Sequence, residues 1–204
     1  MSAAPLPQPS LYKQLCALTD GVRGEILNGQ LHTQPRPSGR HGLAEGALNV
    51  HVGGKYGFRG GPGGWWIIPE PEIHFVRDRE VAVPDLAGWR RERMPRVPDD
   101  HRFEVVPDWV CEILSPSTLR KDRFIKLPLY AKYCVAHAWL VDPEAHTLEG
   151  FELRHGYWAL IATLKDDDPV RVPPFDAVEF PLGDLWGEAS FAMPKDESRP
   201  DSVG

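Results

Sequence analysis

The chain has 204 residues, of which 42% are hydrophobic and 25% are charged, a composition typical of one globular domain rather than a disordered or fibrous chain. Its 19 glycines and 21 prolines make up about a fifth of the residues, against about 12% in average proteins, which excludes a helical bundle and predicts many turns and short strands. The formal net charge of −6 excludes a basic surface over the whole protein, so any nucleic-acid binding must rest on a local site.

Both ends of the chain have the composition of flexible tails. Residues 1–9 are rich in Pro, Ala and Ser, residues 191–204 are polar, and residues 10–190 between them predict a single domain. No apolar stretch reaches eighteen residues and no basic segment precedes an apolar core at the N-terminus, so we expect a cytoplasmic protein. Neither disulfides nor a zinc site fits the odd number and wide spacing of the cysteines, so we expect buried free thiols at Cys16, Cys111 and Cys134.

The first part of the chain predicts two helices and a hairpin. Leucines at helical spacing over residues 11–18 predict a short helix. Asn28 and Gly29 lie between the runs VRGEIL and QLHTQ, which is a strong signal for a β-hairpin. A second helix is predicted from about residue 40 to about residue 52, and the glycine-rich residues 53–64 predict a long flexible loop.

Short apolar runs dominate the rest of the chain. WVCEIL, residues 109–114, is apolar except for one acid, as expected of a strand buried on both faces. Residues 120–133 have a helical pattern, although Pro128 predicts a kink or a later start. HAWLVD, residues 137–142, predicts another buried strand, and antiparallel strands are predicted after it. Together these elements predict an α+β fold with a mixed sheet.

Two acidic residues stand at the predicted strands. Glu112 interrupts an apolar strand, where a carboxylate is costly to bury unless it is paired, protonated or bound to a metal. Asp85 follows Pro84 at the end of the apolar run VAV. Carboxylates on neighbouring strands can together bind Mg²⁺. Each acid alone has an ordinary alternative, a turn residue for Asp85 and an ion pair with an arginine for Glu112.

The predicted helix after SPST adds a cation to these acids. Asp122, Lys126 and Tyr130 are spaced four residues apart, so they share one face if the helix continues through Pro128. Taken alone, this spacing favours an exposed Asp–Lys pair. Two carboxylates, a lysine and the hydroxyls of the SPST loop are, however, the parts needed for metal-assisted attack of water on a phosphodiester.

Several other residues are weaker candidates. Glu25, on the first strand of the hairpin, and Glu72 are candidate supporting acids, with ordinary structural or surface acids as the alternative. His41 lies at the start of the second predicted helix and is a candidate phosphate contact, with a residue that only helps to end the loop as the alternative. Candidate DNA contacts, with a solvated loop as the alternative, come from the densest basic cluster, which comprises Arg90, Arg91, Arg93 and Arg96.

The order of these motifs resembles the Uma-two (Uma2) family of restriction endonucleases, which is placed in the PD-(D/E)XK nuclease superfamily. The resemblance covers about residues 11–186. It is carried by GEILNGQL (24–31), His41, VPD (83–85), CEILSPST (111–118), Asp122, Lys126, Tyr130 and WLVDP (139–143).

The resemblance implies a restriction-endonuclease-like mixed central β-sheet that is flanked by helices and extended by antiparallel strands. It also implies that Asp85 and Glu112 are catalytic and bind Mg²⁺ or Mn²⁺ together with the backbone carbonyl of Ile113. The usual lysine position of the superfamily is Leu114 here, and the resemblance implies that Lys126 on the following helix replaces it.

Two functions are compatible with these residues. The leading hypothesis is a Mg-dependent endonuclease that hydrolyses DNA, in which Lys126 orients or deprotonates the attacking water. The alternative is a non-catalytic nuclease-fold binding or assembly module, which the acidic net charge favours. A different metal hydrolase also fits, because a fold does not determine a substrate. DNA is the expected partner, and a homodimer could form through a sheet edge or an apolar face.

Overall fold

The structure is a computed structural model that describes residues 9–34, 36–59 and 61–187. The predicted tail 191–204 lies outside the described residues, as does the predicted tail 1–9 apart from Pro9. In the described part of the chain, no helix has the length and apolar character needed to cross a lipid bilayer.

The chain forms thirteen strands and four short α-helices in these described ranges. The strands are β1 (Arg23–Leu27), β2 (Gln30–Gln34), β3 (Trp65–Pro69), β4 (Glu72–Val76), β5 (Glu80–Ala82), β6 (Leu86–Arg90), β7 (Arg102–Phe103), β8 (Trp109–Ile113), β9 (His137–Asp142), β10 (Thr147–Arg154), β11 (Tyr157–Lys165), β12 (Pro169–Val170) and β13 (Phe180–Pro181). The helices are α1 (Leu11–Cys16), α2 (Gly39–Leu48), α3 (Leu119–Lys121) and α4 (Leu127–Lys132), with π-helical segments at Asn49–Gly57 and Asp122–Lys126 and a 3₁₀ helix at Leu182–Trp186.

The strands form a mixed six-stranded sheet, a smaller five-stranded sheet and a two-stranded ribbon. The six-stranded sheet has the order β11-β10-β9-β8-β6-β3, in which β8 and β9 are parallel and the other pairs are antiparallel. The five-stranded sheet has the order β2-β1-β5-β4-β7, and β12 pairs with β13. The α+β fold with a mixed central sheet is therefore confirmed.

The central strand β8 is covered on both faces, as its apolar sequence predicts. All five of its residues are buried. Trp109, Cys111 and Ile113 pack in the core beneath α2. Val110 points the other way, into the core shared with α4 and the smaller sheet. Because side chains alternate along a strand, Glu112 faces the α4 side together with Val110.

The hairpin of β1 and β2 forms at the predicted turn. Asn28 and Gly29 have φ values of 51° and 74°, and Leu27 pairs with Gln30. Two consecutive residues with positive φ give the turn a twist that matches the strands, and Asn-Gly is the dipeptide that adopts it at least cost. The turn thus fixes the register of β1, which carries Glu25.

The glycine-rich segment differs from its prediction, because the helical path of α2 continues to Gly57 instead of ending near residue 52. The first five residues of the predicted loop 53–64 are therefore helical. Val52 and Tyr56 are buried in the core beneath α2, which explains why the chain stays helical. At Gly53 an added Cβ would lie only 2.6 Å from Asn49 Oδ1, so the glycine allows close packing.

The prediction of buried thiols is correct only for Cys111, because Cys16 and Cys134 are exposed. Cys16 is the last residue of a surface helix, and Cys134 lies in the turn after α4 with a φ of 61°. Both positions are at helix ends, where fewer neighbours cover a side chain than in the middle of a sheet.

Pro128 does not end the helical path after the SPST loop, although the regular helix α4 begins only at Leu127, later than residue 120. It lies in the first turn of α4, directly after the π-helical turn Asp122–Lys126, and the Leu127 N–H donates to the Asp122 carbonyl five residues earlier. Proline has no N–H and its ring excludes a normal bond to residue i−4, so a wider turn before it accommodates the ring. The helical path therefore continues from Leu119 to Lys132.

Candidate active site

Strand pairing brings Asp85 next to Glu112. Asp85 directly precedes β6, and Leu86 of β6 pairs with Cys111 of the antiparallel strand β8. The Ile113 N–H donates a hydrogen bond of 2.7 Å to Asp85 Oδ2. Both acids are almost completely buried, with exposures of 5% for Asp85 and 3% for Glu112. The two carboxylates therefore lie at one place in the sheet, although 26 residues separate them in the chain.

Helix α4 and the π-helical turn before it cover Glu112 with two donors. Lys126 Nζ lies 2.7 Å from Glu112 Oε2, and the Tyr130 hydroxyl donates to Glu112 Oε1. Lys126 Nζ also lies 3.0 Å from Glu25 Oε1 and donates to the Val83 carbonyl at 3.0 Å. Three parts of the chain, the hairpin, the central strand and the helix, thus meet at one ammonium group.

The three residues predicted to share a helix face do so. Asp122, Lys126 and Tyr130 are 3%, 1% and 0% exposed, so none of them is part of a solvated Asp–Lys pair on the surface. Lys121, which precedes this face, bonds to Glu25 from the other side. Each of these two lysines is therefore held by at least one buried carboxylate.

The charges in this cluster determine which groups can exchange protons. Burial lowers the pKa of Lys126, but the carboxylates of Glu112, Glu25 and Asp122 outweigh burial and hold it above its usual value. Burial raises the pKa of Glu112 well above its usual range, and the opposing effect of Lys126 does not restore it. Lys126 is therefore a protonated donor at neutral pH and cannot accept a proton from water.

Glu25 differs from Glu112 although both are buried. Burial raises the pKa of Glu25, but the attraction of Lys126 and Lys121 is larger in sum, and the pKa lies below its usual value. The Val83 N–H also donates to Glu25 Oε1. Glu25 is thus an ionised anchor for the two lysines.

Asp85 is oriented by two basic side chains from other elements. His41 Nε2 lies 3.0 Å from Asp85 Oδ1, and Arg23 Nη1 lies 3.5 Å from the same oxygen. His41 is in the first turn of α2, where its N–H donates to the side chain of the N-cap residue Ser38. Helix capping therefore sets the position of the imidazole that contacts the carboxylate.

A cleft opens beside Asp85. It has a volume of about 340 Å³ and is lined by Arg23 and His41, which contact Asp85, by the SPST loop and by the chain before α2. Its basic residues are Arg23, Arg36 and Arg40, together with His41. The cleft is thus an opening that lies next to the buried carboxylates.

Glu72 does not join the cluster around Asp85 and Glu112. Its carboxylate accepts from the Tyr12 hydroxyl at 2.8 Å and lies 2.7 Å from His74 Nε2, at the α1 side of the smaller sheet. Glu70, two residues earlier, is instead the one that pairs with Arg23. The sequence favoured Glu72 because it precedes VPD, but the chain turns between β3 and β4 and carries it to the other sheet.

The basic cluster after Asp85 also lies away from the site. Arg90 is the fifth residue after Asp85 along extended chain, a distance of roughly 16 Å at ~3.3 Å per residue. Arg91 stacks over Trp66 and donates to the Gly57 carbonyl, and Arg93 bonds to Asp108 at 2.6 Å. Arg90 lies over the Trp65 ring. These arginines support the far end of the six-stranded sheet, and their role in contacting DNA stays a prediction.

Sequence reasoning missed four cations that the fold brings to the site, Lys121, Arg23, Arg36 and Arg40. Arg23 is two residues before Glu25 on a strand, so the period-2 alternation places both on one face. Arg36 and Arg40 flank the helix-capping residue Ser38. Basic residues near the N-terminus of a helix are unfavourable, because that end already carries partial positive charge. The presence of Arg36 and Arg40 there is the sequence feature that could have marked them as functional residues.

The donor atoms at the site fit a hard divalent cation, although no group of three or more His, Cys, Asp or Glu side chains in the described ranges is arranged to hold a metal. Asp85 and Glu112 supply carboxylate oxygens, which Mg²⁺ prefers. Burial raises the pKa of Glu112, Lys126 lowers it, and the neighbouring carboxylates raise it further. An added cation would therefore be stabilised by the acids Glu25, Asp85, Glu112 and Asp122.

Comparisons with known proteins identify the family and the fold of the chain. A crystal structure from Anabaena variabilis, described as a putative nuclease of DUF820, superposes with a TM-score of 0.66 at 22% identity and covers 88% of this chain and 98% of the other. The two proteins therefore share a fold. No curated protein sequence is significantly similar to the chain. The family model of Uma2, described as "Putative restriction endonuclease", matches residues 9–183. The chain therefore belongs to the Uma2 family.

Proposed function

We propose that the protein is a Mg²⁺- or Mn²⁺-dependent endonuclease that hydrolyses phosphodiester bonds in DNA. The observation that carries the proposal is the buried contact of Lys126 with Glu112, beside Asp85, in a chain of a nuclease family. Two carboxylates that can bind a metal ion, with a lysine beside them and a basic cleft nearby, suit metal-assisted hydrolysis of a phosphodiester. The cytoplasmic location and the homodimer stay predictions from the sequence.

In this proposal Asp85 and Glu112 hold the metal ion, with the backbone carbonyl of Ile113 as a further ligand. When bound, the ion supplies Lewis-acid polarisation of the phosphate and activation of a water. His41 orients Asp85, since its Nε2 lies 3.0 Å from Oδ1. The Tyr130 hydroxyl orients Glu112 in the same way.

We assign Lys126 the role of orienting the water and stabilising negative charge on the phosphoryl oxygens. Its raised pKa keeps it protonated, so it donates hydrogen bonds and does not act as a general base. Glu25 is a positioning residue, because it holds both Lys126 and Lys121. Asp122 has a supporting role: its charge helps to keep Lys126 protonated.

Cleavage assays with plasmid and linear DNA test the proposal. We expect activity with Mg²⁺ or Mn²⁺, none with EDTA, and a loss of roughly 100-fold or more in Asp85→Asn, the scale on which removing one transition-state stabiliser lowers a rate. The matched control is Asp108→Asn, which removes another buried acid, one paired with Arg93. Equal activity of wild type and Asp85→Asn would refute the assignment.

The second candidate is a non-catalytic binding or assembly module of the same fold. One observation favours it: each oxygen of Asp85 and Glu112 already has a polar partner, namely His41, the Ile113 N–H, Tyr130 and Lys126. Calorimetric titration with Mg²⁺ and Mn²⁺ separates the two functions. Absence of binding at millimolar concentrations, together with no cleavage of DNA, would favour the module.

A further inference from the structure

The cleft beside Asp85 differs in charge from the protein as a whole. The chain carries a net charge of −6, yet three arginines line this one opening and Glu144 is the single acid among its described lining residues. Arg23 is held by Glu70 and Asp85. Arg36 and Arg40 are exposed and form no ion pair with a carboxylate in the described ranges. Two positive charges therefore face the cleft without compensation.

Arg36 and Arg40 lie where a positive charge destabilises helix α2. Arg36 precedes the N-cap residue Ser38, Arg40 lies in the first turn of α2, and that turn contains no acidic residue. The start of a helix carries partial positive charge, so arginines there are destabilising unless an anion lies between them and the helix. A negatively charged ligand in the cleft would relieve this repulsion.

The opposite wall of the cleft supplies hydroxyl groups. Ser115 Oγ lies 3.0 Å from Ser117 Oγ and 3.0 Å from Thr118 Oγ1, and all three residues line the opening. Guanidinium groups and hydroxyls are among the side chains that most often bind phosphate oxygens in nucleic-acid complexes. The chemistry of both walls therefore suits a phosphate.

The cleft shares two residues with the surroundings of Asp85, one of the proposed catalytic carboxylates. Arg23 and His41 line it and also contact Asp85. Asp85 and Glu112 are nearly buried, and the cleft is an opening beside Asp85 that can hold the nucleotide next to a phosphate bound there. Its volume of about 340 Å³ is at the small end of ligand pockets, which suits one nucleotide rather than a duplex.

We propose that Arg36, Arg40 and the hydroxyls of the SPST loop form a subsite for the backbone phosphate next to the scissile one. The subsite rests on the proposed nuclease function and adds to it the groups that hold the substrate strand. The arginines act by binding, so they change the affinity for DNA rather than the chemistry at Asp85.

Fluorescence anisotropy with a short labelled single-stranded oligonucleotide in EDTA tests this subsite without cleavage. We expect Arg36→Ala/Arg40→Ala to weaken binding roughly tenfold or more, as removal of a charge-assisted hydrogen bond does. The slope of log affinity against log salt should fall by about 0.7 for each phosphate that the variant no longer neutralises. In cleavage assays the variant should have a raised KM and a nearly unchanged kcat.

The matched control is Arg154→Ala. Arg154 is exposed and pairs with Glu152. It lies at the end of the sheet where β9 begins, whereas the cleft lies where β9 ends. The two places are roughly 20 Å apart at ~3.3 Å per residue. Equal affinity and equal salt slope in the double variant and in Arg154→Ala would overturn the subsite, while cleavage by wild type would still support the nuclease. A wild-type protein that binds no DNA would overturn both.

Discussion

Lys126 Nζ lies 2.7 Å from Glu112 Oε2 and makes a second ion pair with Glu25, and all three side chains are almost completely buried. The ammonium group therefore joins the hairpin to the central sheet and at the same time occupies the centre of the proposed active site. Stability and the proposed function would both depend on this buried contact, so variants must be tested for both.

Replacing Lys126 with Met should lower the free energy of unfolding by about 3–5 kcal/mol. The substitution leaves Glu112 buried without its cation, and Glu25 keeps only Lys121. An unpaired buried charge has a cost of that size. Urea denaturation measures the change. Lys132→Met is the control, because this lysine is 57% exposed and 3.6 Å from Glu80, and a change within about 0.5 kcal/mol is expected.

The double variant Lys126→Met/Glu112→Gln should recover part of that loss. Removing the buried negative charge together with the positive one takes away the cost of leaving either unpaired. A double-mutant cycle gives the coupling energy. Additive effects of the two substitutions would show that the ion pair does not contribute to stability.

Replacing Tyr130 with Phe should reduce DNA cleavage roughly 10- to 100-fold, the usual effect of removing a residue that orients a metal ligand. Tyr130 donates to Glu112 Oε1, and burial keeps the pKa of its hydroxyl well above the usual value, so it stays a donor. Calorimetry should show weaker Mn²⁺ binding in the same variant. Tyr157→Phe, at a side chain that is 79% exposed, should cleave DNA as wild type does.

The stability that Glu25 contributes should be lost in acid. The pKa of Glu25 in the folded protein lies below its usual value of 4.5. The unfolded chain therefore binds more protons than the folded one near that pH, so stability rises with pH there. The contribution is complete above about pH 4.5 and disappears as the pH falls through the folded pKa.

Urea denaturation of wild type and Glu25→Gln from about pH 3 to pH 7 measures this contribution. The difference between the two proteins should be largest at neutral pH and shrink below about pH 4.5. Glu144→Gln changes an exposed acid and should differ from wild type by less than about 0.5 kcal/mol throughout. A constant difference between wild type and Glu25→Gln would contradict the lowered pKa.

The hairpin turn gives a prediction about the fold alone. Gly29→Ala should destabilise the protein by about 1–2 kcal/mol, because Gly29 has a φ of 74° and an L-residue is strained there. Gly46→Ala in α2 is the control, since an added Cβ meets no atom within 4 Å. It should stabilise the protein by about 0.5–1 kcal/mol. Thermal unfolding of both variants provides the comparison.

The local features of this fold could be predicted from the sequence. Asn28-Gly29 determines the hairpin because the two residues adopt positive φ readily. The apolar run around Glu112 indicates a doubly covered strand because few other places accept such a sequence. The spacing of Asp122, Lys126 and Tyr130 indicates one face because a helix repeats every 3.6 residues. Each of these signals acts over a few neighbouring residues.

The sequence by itself therefore determined the local elements and the residue types that could form a site. Only the tertiary structure decided which side chains meet. Arg90 is close to Asp85 in the chain but far from it in space, because an extended strand separates residues by ~3.3 Å each. Arg36 and Arg40 approach the site, and Glu25 reaches Lys126, because the packing of hairpin, sheet and helix brings together segments that no local pattern connects.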